Sequence, residues 1–277
     1  MRFFADKVIL ITGGAAGIGR ALGEETAKLG AKVTLTDSDG QSLDDTVSLI
    51  RSALGPESAA RVEGRLLDVT DPDQFKQVAD ELRQRHGRLD FLFNNAGIGI
   101  TGELEHLPAE AWDPLIDVNL KGVIHGVQAV YPLMVEQGFG HIANTACVAG
   151  LVPFPMTTAY SATKHAVVGL STSLRPEAAR KGVRVSVICP GVVDTDMFES
   201  IEYFGVDKQA LLSPVGRAMM SPDVCARRIL TGLRWNRPVI TVGWNARLIW
   251  WLYRIAPRFF LRMVAFGFRT FRHRFLH

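Results

Sequence analysis

Lys7-Val-Ile-Leu-Ile-Thr-Gly-Gly-Ala-Ala-Gly-Ile-Gly19 is the stretch on which the fold of this chain turns. Its apolar run, Lys7 to Thr12, has no polar alternation and stops in glycines at 13, 14, 17 and 19. A run of that kind reads as a parallel strand buried on both faces. Ile18, Leu22, Thr26 and Leu29 then recur along one side of a helix, and Ala31 to Asp37 reads as a second strand. Residues 7–37 therefore form a strand–helix–strand unit. Glycines at its first junction let the backbone turn tightly and bring free helix N–H groups against a phosphate.

The alternation continues outward from this unit. Strands are expected at Val62–Val69, Leu89–Asn95, His141–Thr145 and Val183–Cys189, the last stopped by Pro190-Gly191. Helices are expected at Pro72–His86, Trp112–Glu136 and Tyr160–Lys181. The fold class is α/β: a single Rossmann-type, doubly wound parallel sheet with helices on both faces. A length of 277 residues with 47% hydrophobic content suits one large domain of that kind. No linker precedes Trp244, so residues 1–244 are read as the domain and 245–277 as a C-terminal amphipathic tail. Cys147, Cys189 and Cys225 have neither zinc nor disulfide spacing, and no metal site is expected. The first residues lack the apolar core and cleavage site of a signal peptide, so a cytoplasmic body is expected.

Gly13, Gly17, Ile18 and Gly19 are the candidate pyrophosphate cradle. Asp37, eighteen residues after Gly19, can accept both hydroxyls of a ribose and repel a 2′-phosphate. No Arg or Lys lies within the glycine turn. These features favour NAD over NADP. The competing reading makes Asp37 a helix cap, with Asp39 as the ribose ligand. Further along, Tyr160 and Lys164 stand four residues apart, on one face of a helix. An ammonium there, helped by the positive nicotinamide, would favour the phenolate, lower its pKa and suit Tyr160 to proton transfer.

TGGAAGIG at 12–19, Asp68-Val69, NNAG at 94–97, Asn119, YSATK at 160–164 and PGVVDT at 190–195 are joined across residues 5–240. With these motifs the chain resembles the short-chain dehydrogenase/reductase superfamily. The resemblance implies that Asp68 and Val69 flank adenine, and that Asn95, Ala96 and Gly97 line the middle of the cofactor. It implies that Lys164 also holds the nicotinamide ribose and that Asn119 positions a water in the proton relay. Pro190, Gly191, Val193 and Thr195 would face the nicotinamide end, the last two securing its carboxamide. Relatives pair into homodimers or homotetramers.

One position departs from the pattern. Thirteen residues before Tyr160, where the family has a serine, stands Cys147. A thiol is a weaker and longer donor than a hydroxyl. Ala146 offers no substitute, while Thr145 and Thr158 are candidate stand-ins. The reaction implied is hydride transfer between NAD(H) and a hydrophobic secondary alcohol or ketone, with Tyr160, Lys164, Asn119 and Cys147 as the catalytic set. The alternative is a catalytically weakened, NAD-binding interaction protein at a membrane.

A mobile substrate lid is expected near 196–212, lined by Met197, Phe198, Ile201, Tyr203 and Phe204 opposite Val152 to Met156. The tail is polarised. Eleven arginines and no acidic residue follow Asp223, so residues 224–277 carry +11 and the preceding chain −8, within a net charge of +3. Arg247, Arg254, Arg258, Arg262 and Arg269 fall on one helical stripe among Trp250, Trp251, Phe259, Phe260 and other apolar residues, with Pro257 between turns. Interspersed charge excludes a spanning helix and suits one lying on an anionic membrane, attached peripherally to its inner face. The competing reading packs the tail on a partner subunit or over the active site. Nucleic acid is not expected, because the arginines sit among large apolar groups.

Overall fold

In the computed structural model of the chain, which describes residues 3–206, 208 and 219–275, β1 (Val8–Thr12) is buried along its whole length. Its alternate side chains enter two separate apolar layers. Ile9 and Ile11 pack with α1 (Gly17–Lys28), with α2 (Gly40–Ala53) and with Val33 and Leu35 of β2 (Lys32–Asp37). Val8 and Leu10 face the other layer. Burial on both sides is why β1 has no polar alternation.

Beyond β2 come α3 (Pro56–Ala59), β3 (Val62–Leu66), α4 (Pro72–His86), β4 (Phe91–Asn94) and the short β5 (Ile100–Gly102). The following segment holds α5 (Trp112–Ile116), a π turn (Asp117–Lys121) and α6 (Gly122–Gln137). Then follow β6 (Gly140–Thr145), α7 (Thr158–Ala179), β7 (Val183–Pro190), α8 (Met197–Ser200) and β8 (Glu202–Phe204). The last elements are α9 (Pro222–Arg234), β9 (Val239–Val242), α10 (Trp244–Ile255) and α11 (Pro257–Phe275).

Seven strands lie parallel in the order β3-β2-β1-β4-β6-β7-β9. α1, α2 and α9 cover one face through residues such as Leu22, Val47 and Ile229. α4 and α6 cover the other through residues such as Phe75, Leu82 and Met134. The chain winds outward in one direction from β1 to β3 and in the other from β4 to β9. The crevice between the C-terminal ends of β1 and β4 is therefore the topological switch point, where such sheets bind ligands.

Two expected elements differ in extent. The strand expected to reach Val69 stops at Leu66, because the Asp68 side chain folds the backbone by accepting from Thr70 N at 2.9 Å and Thr70 Oγ1 at 2.8 Å. The long helix at 112–136 is interrupted by the π turn around Asn119. The arginine stripe is also divided. Ala256 leaves helical conformation ahead of Pro257, so Arg247 and Arg254 lie on α10, while Arg258, Arg262 and Arg269 lie on α11. Of the expected lid, residues 207 and 209–212 lie outside the described residues. Its first part is ordered by β8, which pairs in parallel with β5.

Candidate active site

The switch-point crevice is joined from both sides. Thr12 Oγ1, at the end of β1, accepts from Asn95 N at 3.0 Å and Ala96 N at 3.1 Å. Asn95 Nδ2 returns bonds to the carbonyls of Thr12 at 3.1 Å and Gly13 at 3.2 Å. These bonds hold the glycine turn flush against the loop after β4. Gly13 has φ +63, and a Cβ there would lie 2.8 Å from the Ala96 α-carbon. A Cβ at Gly19 would collide with the Gly13 carbonyl oxygen. At these positions the cradle admits only glycine, which fits a pyrophosphate on the helix N-terminus. Gly17 and Ile18 open α1, and the Thr195 methyl lies over Gly17.

The two candidate ribose ligands separate cleanly. Asp39 caps α2, accepting from Ser42 N at 3.1 Å and Ser42 Oγ at 2.5 Å, bonds that hold its carboxyl below the usual range. Asp37 remains at the end of β2, where its Oδ2 accepts from Ala15 N within the glycine turn at 3.1 Å. Asp68 is exposed beside buried Val69. Asn94 and Asn95 also divide. Asn94 Nδ2 donates to Asn144 Oδ1 at 2.8 Å and Asn144 Nδ2 to Ser171 Oγ at 3.0 Å, a buried tie between β4, β6 and α7. Asn95 faces the crevice. On the far side, Gly191 N donates to the Val242 carbonyl at 3.0 Å, following Pro190 at the end of β7. Val193 is buried and bridges Met220.

Asn119 is fully buried in the π turn. Its side chain clamps the backbone of Ile98, with Oδ1 accepting from Ile98 N and Nδ2 donating to Ile98 O, both at 2.9 Å. Its Oδ1 and Lys164 Nζ both approach the Gly97 α-carbon, where a Cβ would meet them at 3.0 and 3.2 Å. A π turn inside a helix often marks a functional position. Lys164 is 2% exposed, donates to the Thr145 carbonyl at 3.2 Å, and lies 5.6 Å from the Tyr160 ring centre. Burial lowers its pKa to about 8. The helical spacing thus sets Lys164 beside Tyr160, the π turn brings Asn119 to Lys164 across Gly97, and Cys147 stands on the loop after β6.

The electrostatics depart from expectation. Burial and the neighbouring Cys147 push the Tyr160 phenol well above its ordinary pKa, rather than Lys164 drawing it down. Lys164 points its donor at Thr145 and is itself weakened as a cation by burial. The Cys147 thiol is also raised by burial, and its S–H donates to the Pro190 carbonyl at 3.6 Å. Neither stand-in donor is equivalent. Thr145 is buried and its hydroxyl donates to Asn95 Oδ1 at 3.4 Å, while Thr158 is exposed at the start of α7.

Two apolar clusters adjoin Tyr160 and Cys147. Phe204 of β8 packs with Ile100, Leu115, Trp112 and Tyr160, and Ile201 approaches Gly99. The second cluster holds Val148, Leu151, Val152, Ala246 and Phe260, with Cys147, Trp250, Tyr253 and Val264 packed against it. The tail therefore forms part of the wall behind Cys147. Its far end returns to the cleft rim, where Arg272 Nε lies 3.1 Å from Glu103 Oε1 and Nη2 lies 3.5 Å from Glu105 Oε1. The sequence left this wall contact as the competing reading of the tail, packed over the active site, and Ala246, Ile249, Trp250 and Tyr253, at helical spacing, are the α10 residues that make it.

Residues 7–203 match the sequence profile of the family described as short chain dehydrogenase. The chain belongs to that family. A putative oxidoreductase SadH of Mycobacterium tuberculosis is 34% identical over 276 residues, 98% of each chain, so the similarity runs through the tail as well. A short-chain dehydrogenase/reductase from Burkholderia phymatum, solved in complex with NAD, superimposes with a TM-score of 0.81 at 32% identity, covering 92% of this chain and 95% of that one. Another, from Sphingobium yanoikuyae in complex with NADPH, gives 0.76 at 27% identity over 92% and 95%. The dehydrogenase is thus an oxidoreductase whose fold binds NAD(P). Among its described residues no helix is long and apolar enough to cross a membrane.

Proposed function

We propose that this dehydrogenase interconverts a hydrophobic secondary alcohol and its ketone with NAD(H), using Tyr160 as the acid–base group. Lys164 carries the reading. A lysine 2% exposed, facing a backbone carbonyl and an aromatic ring, is costly to keep unless its amine serves the chemistry. When bound, NAD(H) supplies or accepts the hydride. Gly13, Gly17, Ile18 and Gly19 hold its pyrophosphate and Asp37 its adenine ribose. Asp68 and Val69 flank the adenine, and Asn95, Ala96 and Gly97 line the middle. Lys164 would hold the second ribose, and Pro190, Gly191, Val193 and Thr195 would hold the nicotinamide end. Asp37 favours NAD, because a 2′-phosphate would meet its carboxylate with no basic residue in the turn to offset it.

Asn119 fixes the loop at Ile98 and so sets the floor on which Tyr160 and Lys164 meet the substrate. The elevated phenol pKa leaves Tyr160 protonated at neutral pH, ready to donate its proton to the oxygen of a forming alcohol. Alcohol oxidation needs the phenolate and gains rate as the medium becomes alkaline. Phe204, Trp112 and Val152 make the substrate side apolar, which suits a hydrophobic ketone.

The test is Tyr160→Phe, with cofactor binding titrated by fluorescence and turnover followed on a panel of apolar ketones. Turnover should fall by about a thousandfold while NADH binding is retained, and NADH should bind more tightly than NADPH. Residual turnover near wild type would remove Tyr160 from its role. Tighter NADPH binding would overturn the reading of Asp37.

A further inference from the structure

The tail has two faces. On α10, Ala246, Ile249, Trp250 and Tyr253 pack against the body. Directly opposite, at i, i+4, i+7 and i+11, stand Trp244, Leu248, Trp251 and Ile255, exposed by 75%, 59%, 51% and 75%. On α11, Phe260 and Val264 turn inward, while Phe259, Met263 and Phe266 form an outward row exposed by 60%, 45% and 73%. Exposed Arg247 and Arg254 flank the first row, and exposed Arg258, Arg262 and Arg269 flank the second. A helix whose inner face is already packed does not need a second apolar face for folding. Large contiguous apolar patches on soluble surfaces mark interaction sites.

We propose that the outward face of α10 and α11 docks on an anionic lipid bilayer, with Trp244, Leu248, Trp251, Ile255, Phe259, Met263 and Phe266 entering the interface. The flanking guanidiniums then meet lipid phosphates. This goes beyond the catalytic reading and stands without it. Charge selects the occupant. Residues 224–277 hold eleven arginines and no acidic residue, so two copies meeting through this face would bring like charges together with no carboxylate from the tail between them. A bilayer supplies both an apolar layer for the rows and a sheet of negative charge for their flanks. Tryptophan suits this boundary because its ring is apolar and its N–H is polar.

The full chain is mixed with phosphatidylcholine vesicles, or with vesicles of equal parts phosphatidylcholine and phosphatidylglycerol, and sedimented. The protein should pellet with the anionic vesicles, with a blue shift in tryptophan emission. Binding should weaken by about tenfold in Leu248→Glu/Phe266→Glu and by a similar factor in Arg258→Gln/Arg262→Gln/Arg269→Gln. All these positions are exposed, so circular dichroism and urea midpoints should match wild type. A protein that stays in the supernatant, or binds neutral vesicles equally well, overturns the proposal. So does a dimer in light scattering that dissociates in the Leu248→Glu/Phe266→Glu variant without any vesicle binding, since that makes a second copy the occupant.

Discussion

Cys147 faces a choice of partners that a serine in its place would settle differently. Its S–H is directed at the Pro190 carbonyl at 3.6 Å, so in this conformation the donor is engaged by the protein's own backbone. The thiol also raises the Tyr160 phenol, because a second ionisable group in a buried site penalises the phenolate. Cys147→Ser should therefore act twice. A hydroxyl donor to the substrate oxygen should raise kcat for ketone reduction by about tenfold or more. Loss of the ionisable thiol should lower the Tyr160 pKa, moving the rising alkaline limb of alcohol oxidation to lower pH. Initial rates across a pH series check both, and an unchanged limb would separate the thiol from the phenol's titration. At this scale the sequence was informative about types and spacing. Tyr160, Lys164 and Asp37 were readable because helix and strand periodicities fix their directions. The orientation of Cys147 was not, since its acceptor comes from the end of β7, 43 residues away. The sign of the Tyr160 shift was missed for a related reason, because burial depends on the completed site.

Among the elements, β6 carries an unusual burden. His141 lies at 2% exposure between β4 and β7, stacked 5.6 Å from Phe91 and bonded through Nε2 to Ser186 Oγ at 2.8 Å. Burial first, then Arg184 and Arg175, lower its pKa to about 3. An unfolded histidine titrates near pH ~6.5, so below that the unfolded chain takes a proton that the native one refuses. The stability associated with neutral His141 is complete above pH ~6.5 and declines toward the folded value as pH falls. From pH ~7 to ~5 the loss should be about 2 kcal/mol in urea unfolding, and His141→Gln should flatten that dependence. A variant with the wild-type slope would assign the effect to other groups. Boundaries at this scale were legible where local chemistry sets them. α4 is read to the residue, because Asp71 caps it, Pro72 opens it and Gly87, at φ +69, closes it. β3 ends early through a side-chain turn at Asp68, and the π turn at Asn119 rests on its clamp to Ile98; neither has a strong local signal.

Across the whole molecule, the division into a body of 1–244 and a tail of 245–277 describes charge better than it describes packing. The sequence made the tail's amphipathicity plain, but a helix with apolar residues on two faces cannot reveal which face meets its own protein. Here the inner face is spent on the body. Phe260 is 3% exposed and shares a cluster with Val148, Leu151 and Val152, the residues that follow Cys147. Arg272 then anchors the far end of α11 to the largely buried Glu103 and the exposed Glu105; its own guanidinium remains more than half exposed, so these pairs contribute little beside a buried ring and Phe260 should carry most of the attachment. Phe260→Ala removes a buried aromatic side chain, a change that costs about 3 kcal/mol when the site cannot collapse. If tail and body unfold as one unit, that loss should lower the urea midpoint of the entire transition, read alike by far-UV circular dichroism and by tryptophan emission. The same change should raise KM for apolar ketones, because the wall behind Cys147 loses its support. An independent tail would instead leave the body's midpoint in place and produce a separate early transition at low urea, and KM would not move.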